Sequence, residues 1–202
     1  MYPSKLFHEI DRSILIERIR ANPLAVIVGV DEAGAAKIAH APVLVDQRDG
    51  GIFLRFHLAR SNSVCAALTC SKKCLCVFTG PDAYISPDWY DVDDQVPTWN
   101  YLSVEGEGPV RVLGAEAFAT FLDDLSAHFE NDLAPKPPWT RDKMKPGLFD
   151  KMLHGIVGFE MTAERFEGTS KLNQNKTAEM RERVAAQLHP HPIAEAMGKL
   201  EK

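Results

Sequence analysis

Apolar and polar positions alternate along much of the first half of this chain, and the spacing changes to a helical period at a few defined points. Ile14, Leu15 and Ile19 share one helical face between Arg12 and Ala21. This predicts a first helix capped by Asp11 and ended by Asn22-Pro23, because a residue before proline is pushed out of the helical region. Leu24 to Val30 reads as a buried strand, Asp31-Glu32-Ala33-Gly34 as a turn, and Ala36 to Asp46 as a second strand. Gln47-Arg48-Asp49-Gly50-Gly51 turns the chain again, and Ile52 to His57 alternates cleanly. Together these predict a three-stranded antiparallel meander.

A polar cluster, Arg60-Ser61-Asn62-Ser63, separates that third strand from a short helical pattern, Val64 to Leu68. Ser61, Asn62 or Ser63 can cap the helix. Free amides and the positive end of the helix dipole make such a start an anion site, and Arg60 adds a donor fork suited to phosphate. The same residues also fit a plain capped helix with a surface arginine.

Lys72 to Thr79 predicts a fourth strand. The stretch from Thr79 to Tyr101 then carries two Trp, three Tyr and three Pro. So many rings do not suit a solvated linker, and so many prolines do not suit a core strand. It is expected to be an irregular segment held against the domain, lining a surface or cleft. A long strand, or two joined at a bulge, follows from Trp99 to Leu113, with Gly106-Glu107-Gly108-Pro109 marking the bulge or bend. Phe118, Phe121, Leu122, Leu125 and Phe129 place a wide apolar stripe on a helix from Ala115 to Asn131, which is core. Beyond a rigid Pro-rich connector, Ala134 to Trp139, come a helix around Lys145 to His154 and a strand from Gly155 to Phe166. A polar loop, Glu167 to Asn175, precedes a last helix, Ala178 to Leu188. Residues 190–202 read as a tail.

The succession is strand-rich with single helices inserted, without βαβ alternation and without a Gly-rich phosphate loop after a strand. It predicts one α+β domain, mainly β: an antiparallel barrel with helices packed outside.

Composition changes this picture little. A net charge of −5 over 202 residues argues against broad phosphate-backbone binding. No apolar run approaches a membrane span. Met1-Tyr2-Pro3-Ser4-Lys5 lacks the pattern of a signal peptide, so a cytoplasmic location is the default expectation. The four cysteines, Cys65 to Cys76, lack a paired C-x-x-C spacing, and Cys74 and Cys76 alternate in an apolar strand. They are expected to be small core residues, with no metal site. His40 and His57, on adjacent predicted strands, could face a common cavity. No signature of a nucleophile or metalloprotease is present. Such a site suits a cofactor that brings its own chemistry.

The residues Phe78-x-Gly80-Pro81-x-Ala83-Tyr84-Ile85-Ser86-Pro87-x-Trp89-Tyr90 and Val96-Pro97-Thr98-Trp99-Asn100-Tyr101 resemble the signature of the PaiB family. His40-Ala41-Pro42, His57 to Asn62, Ile156 to Glu160 and Lys171-Leu172-x-Gln174-Asn175 extend the resemblance over residues 1–189. Thr79 stands where the family pattern has glutamine, and Asn173 where serine is usual.

The resemblance implies an FMN-binding split β-barrel, similar to pyridoxamine-phosphate oxidase. It implies a homodimer with flavin clefts between subunits and a link to negative transcriptional regulation. It also implies roles for individual residues. Arg60, Ser61 and Asn62 would hold the FMN phosphate, and His40 and Pro42 would lie beside the flavin. Thr98, Trp99 and Asn100 would shape the cleft, and Lys171, Gln174 and Asn175 would close it. The alternatives are a DNA-binding repressor without flavin chemistry and a haem-binding or haem-degrading protein on the same barrel.

Overall fold

The computed structural model describes residues 4–200. They form nine strands and six α-helices: β1 (His8–Glu9), α1 (Arg12–Ala21), β2 (Leu24–Val30), β3 (Ala36–Pro42), β4 (Leu44–Arg48), β5 (Gly51–Ala59), α2 (Ser63–Ser71), β6 (Lys73–Ile85), β7 (Thr98–Val112), α3 (Ala115–Asn131), α4 (Leu148–Leu153), β8 (Ile156–Thr162), β9 (Arg165–Lys171), α5 (Ala178–Leu188) and α6 (Pro192–Gly198). The hydrogen-bonded strand order is β3-β2-β6-β7-β8-β5-β4, with β9 pairing both β1 and β7. Two compact units emerge. One holds the described residues up to Asn22, Val77–Glu105 and the described residues from Phe166 onward; the other holds Pro23–Cys76 and Gly106–Arg165.

In the Pro23–Cys76 and Gly106–Arg165 unit, β2 and β3 pair antiparallel, Leu24 opposite Pro42 and Val30 opposite Ala36. The predicted second strand is in fact two. Val43 donates to the Pro23 carbonyl at 2.9 Å, but Pro23 has no N–H to return the bond, so the β2–β3 ladder ends there before β4 begins. Both antiparallel pairings of the predicted meander are present, β3 on β2 and β4 on β5, but with the second strand divided, β4 and β5 stand at the far end of the strand order from β3. Asp49 (φ 49°) and Gly50 (φ 76°) make the tight β4–β5 turn that their sequence predicted. Along β5, Ile52, Leu54, Phe56 and Leu58 are buried while the intervening residues are half-buried. One edge of β5 is bonded to β4 and the other to β8, with His57 opposite Gly158.

The stripe on α3 packs as its period requires. Phe118, Phe121 and Leu125 are buried with Leu113, and Leu44, Leu122, Phe129 and Ile156 lie around them. Each buried phenylalanine contributes about 1.5–3 kcal/mol. Gly158 makes the approach possible, since a Cβ there would sit 2.3 Å from Phe118 Cδ2. Glu160 on β8 is buried between Arg48 Nη2 at 2.6 Å and Arg111 Nη2 at 2.7 Å. Burial alone would raise this carboxyl's pKa, but the two guanidiniums outweigh it and hold it below the usual range. The expected strand from Gly155 to Phe166 is likewise two, β8 and β9, divided at Ala163-Glu164.

The other unit is built on β6, β7 and β9. The aromatic segment is more regular than its prolines suggested. β6 continues through Pro81 to Ile85, a 3-10 turn covers Pro87–Tyr90, and only 91–97 is irregular before β7. β7 runs unbroken through the predicted bulge at Gly106 to Pro109. Tyr90 is fully buried in a core with Ala83, Ile85, Leu172, Val184, Ile193 and Met197. Ile193 and Met197 belong to α6, so the segment expected as a tail forms a helix packed into this core. His191 caps it, Nδ1 accepting from Ile193 N at 3.2 Å, and Pro192 occupies the first turn, where its missing N–H costs nothing.

Candidate functional site

Where β5 ends, Arg60 N donates to Gly155 O and Asn62 N to Ala59 O, both at 2.9 Å, which turns the chain sharply into α2. Asn62 is the cap: its Oδ1 accepts from Val64 N at 3.0 Å. The expected Arg60 fork is partly spent. Nε donates to His154 O at 2.9 Å and Nη2 to Ile156 O at 3.2 Å, which ties the loop to the start of β8. Among the described residues, Arg60 Nη1 and the N–H groups of Ser61 and Ser63 have no protein acceptor. Arg60, Ser61 and Ser63 are exposed and Asn62 is half-buried. The chain thus presents two free amides, two hydroxyls, a carboxamide N–H and one guanidinium edge at the positive end of a nine-residue helix. No carboxylate stands among these residues. This donor set fits a phosphate monoester. Ser63, expected only as one possible cap, joins the donor set because it stands one residue after the cap, where the N–H is an orphan by position.

His40 is exposed on β3 opposite Val26, and Pro42 is half-buried opposite Leu24. The strands that carry His40 and His57, expected to be adjacent, are not hydrogen-bonded neighbours: β5 pairs with β4 and β8. The His57 ring lies against Phe121 at 6.1 Å and Phe118 at 6.4 Å on α3. Burial lowers its pKa, and its Nδ1 is buried without a partner.

The remaining candidates lie in the unit that carries α5 and α6. Lys171 Nζ donates to Thr98 Oγ1 at 2.8 Å, linking the end of β9 to the start of β7, and burial lowers its pKa. Trp99 is 53% exposed, its ring edge-on to Tyr84 at 6.1 Å. Asn100, expected to shape a cleft, is instead fully buried. Its Nδ2 donates to Met197 Sδ of α6 at 3.5 Å, and its Oδ1 has no donor. Gln174 is spent within its own turn, accepting from Leu172 N at 2.8 Å and donating to Ser170 O. Asn175 is exposed. Asn173 adopts φ 63°, a left-handed conformation that Asn tolerates better than Ser does, which accounts for the residue found there.

The fold defines a class. The mostly antiparallel strand succession with helices inserted singly is that of flavin-binding split barrels. Residues 1–165 match the family described as "Putative FMN-binding domain", and the chain belongs to that family, whose cofactor is FMN. It is 29% identical over 202 residues to the Protease synthase and sporulation protein PAI 2 of Bacillus subtilis (strain 168), covering 99% of this chain and 96% of that one. This bears out the PaiB resemblance. Among solved structures, the FAD and heme binding protein from Mycobacterium smegmatis shares the fold with a TM-score of 0.59 at 18% identity, over 89% of this chain and 79% of that one. The flavocytochrome Anf3 from Azotobacter vinelandii gives 0.56 at 15%, over 84% and 72%. No helix among the described residues is long and apolar enough to cross a membrane.

Proposed function

We propose that this PaiB-type chain holds the phosphate of FMN at the start of α2 and uses the flavin in a redox or flavin-sensing role linked to negative transcriptional regulation. The observation that carries the phosphate assignment is the unspent donor set of Arg60, Ser61, Asn62 and Ser63. A phosphate there would accept from the two free amides and from Arg60 Nη1. The bonds from Arg60 to His154 and Ile156 then position the fork without consuming it. Bound FMN supplies reversible electron transfer, so the chain needs no nucleophile of its own.

His40 and Pro42 on β3 are the proposed contacts beside the ring. Thr98, Trp99, Lys171 and Asn175 are assigned to the cleft, with Thr98 and Lys171 acting as the bonded pair described above. Asn100 and Gln174 are retained only as supports, because their polar groups are buried or spent. A homodimer and a cytoplasmic location belong to the same reading. The regulatory role is carried by the PaiB relationship alone. The charge of −5 favours an indirect route over DNA contact by this chain.

The test is titration of purified protein with FMN, followed by flavin fluorescence and absorbance, together with light scattering. Saturable quenching at one flavin per chain and a dimer mass are expected. An unchanged flavin spectrum at every protein concentration would remove the cofactor role. A gel shift against the chain's own upstream DNA is expected to show no salt-sensitive specific complex. Appearance of one would replace the indirect route with direct repression.

A further inference from the structure

Beside the last turn of α1 lies a cavity of about 450 Å³, within the roughly 300–1,000 Å³ of small-molecule pockets. None of the residues assigned to flavin lines it. Phe78, Pro81, Leu102 and Val104, from β6 and β7, give it apolar walls, and Arg18 is the one cation among its described lining residues. The Arg18 side chain is 18% exposed. Its one short bond runs from Nη2 to Ser170 Oγ at 2.6 Å. Nη1 reaches Thr169 O only at 3.5 Å, and Glu9 Oε2 stands 3.7 Å from Nη2. Glu9 is itself shared, accepting from Asp11 N at 3.1 Å and Ser170 Oγ at 3.4 Å. A guanidinium has five N–H donors. Here most of them lack a good acceptor although the group is largely out of water, where unmade hydrogen bonds are costly. Burial accordingly works against the charge, and Glu9 offsets only part of that.

We propose that this cavity is a second ligand site, taking a small amphipathic monoanion with its carboxylate on Arg18 and an apolar ring or short chain against Phe78, Leu102 and Val104. A carboxylate matches the planar fork. A phosphate dianion would find no second cation among the lining residues.

The probe pair is 2-naphthoate and its neutral isostere 2-naphthamide, measured by calorimetry on the full-length protein saturated with FMN. The wild type is expected to bind naphthoate at least about tenfold more tightly than naphthamide. Arg18→Met should abolish that preference, and Arg18→Lys should keep part of it. Ala21→Trp fills the cavity from an exposed position at the end of α1. It should weaken both probes about tenfold or more while leaving FMN affinity within about twofold. Equal affinity of the two probes for wild type, no naphthoate binding, or naphthoate binding untouched by Ala21→Trp would each overturn the site. Loss of FMN binding in Ala21→Trp would overturn its independence from the flavin. If Arg18→Met does not fold, the wild-type preference and Ala21→Trp decide the matter.

Discussion

The start of α2 and the cluster of Tyr90, Asn100 and Asn173 are both polar, and they hold their polarity in opposite ways. At α2 the unspent donors are exposed, and solvent satisfies them until a ligand arrives. In the cluster, Tyr90 Oη, Asn100 Oδ1 and Asn173 Nδ2 are buried without a hydrogen-bond partner. Burial raises the Tyr90 phenol's pKa, and the nearby Asn173 amide offsets part of the shift without closing a well-formed bond. Each such orphan costs about 1–3 kcal/mol. Exposed unspent groups are available to a ligand without rearrangement. Buried ones are available only if the element covering them moves, and for Asn100 that element is α6, through Met197.

The largest expected effect lies in the buried region. Asn100→Asp puts a carboxylate where no donor faces it, and stability in urea should fall by about 3–5 kcal/mol. Asn100→Leu removes both polar ends and should stay within about 1 kcal/mol of wild type. Equal losses in the two variants would mean that Asn100 Oδ1 has a donor after all, and the contrast with α2 would fail.

The exposed region answers differently to added charge. Ser63→Asp places a carboxylate in the first turn of α2. It should raise stability by about 0.3–1 kcal/mol through the helix dipole. The same charge should weaken FMN binding about tenfold or more, about 1.4 kcal/mol. Opposite signs for folding and binding are the signature of an anion site. A loss in both would mark a merely structural cap.

His57 sharpens the comparison, since it is a buried orphan that titrates. Its folded pKa lies below the ordinary 6.5 because of burial. The unfolded chain therefore takes up a proton first as pH falls. The stability this provides is present above about 6.5 and is lost as pH drops through and below that value, with a slope of at most about 1.4 kcal/mol per pH unit. His57→Phe, which suits the neighbouring Phe118 and Phe121 rings, should flatten the acid limb of a stability–pH profile. An unchanged limb would show that other groups dominate it.

The smallest effect is expected for Met197→Leu. It removes the sulfur acceptor of Asn100 and keeps the volume, at about 0.5–1 kcal/mol. A larger loss would give the thioether contact more weight than the comparison allows.

What was legible in the sequence was local. Asp11, Asn62 and the α3 stripe act within one turn or one face, and each stands where its spacing put it. The break at Val43 was hidden because Pro42 lies in an otherwise continuous apolar pattern. The aromatic segment was misread because β6 accommodates Pro81 within a strand. His189-Pro190-His191-Pro192 reads as the opening of a tail, yet its last two residues cap and open α6. The α2 donors could be found because a helix start carries its chemistry in adjacent residues. The burial of Asn100 could not, because it depends on α6, 97 positions away.

The central claim, that the start of α2 recognises a phosphate, is tested most directly by comparing FMN with riboflavin, which lacks that group. Fluorescence titration of wild type should give FMN about 100-fold tighter binding than riboflavin. In Ser63→Asp the gap should shrink below about tenfold while riboflavin affinity stays unchanged. The same FMN-to-riboflavin ratio in both proteins would contradict the assignment.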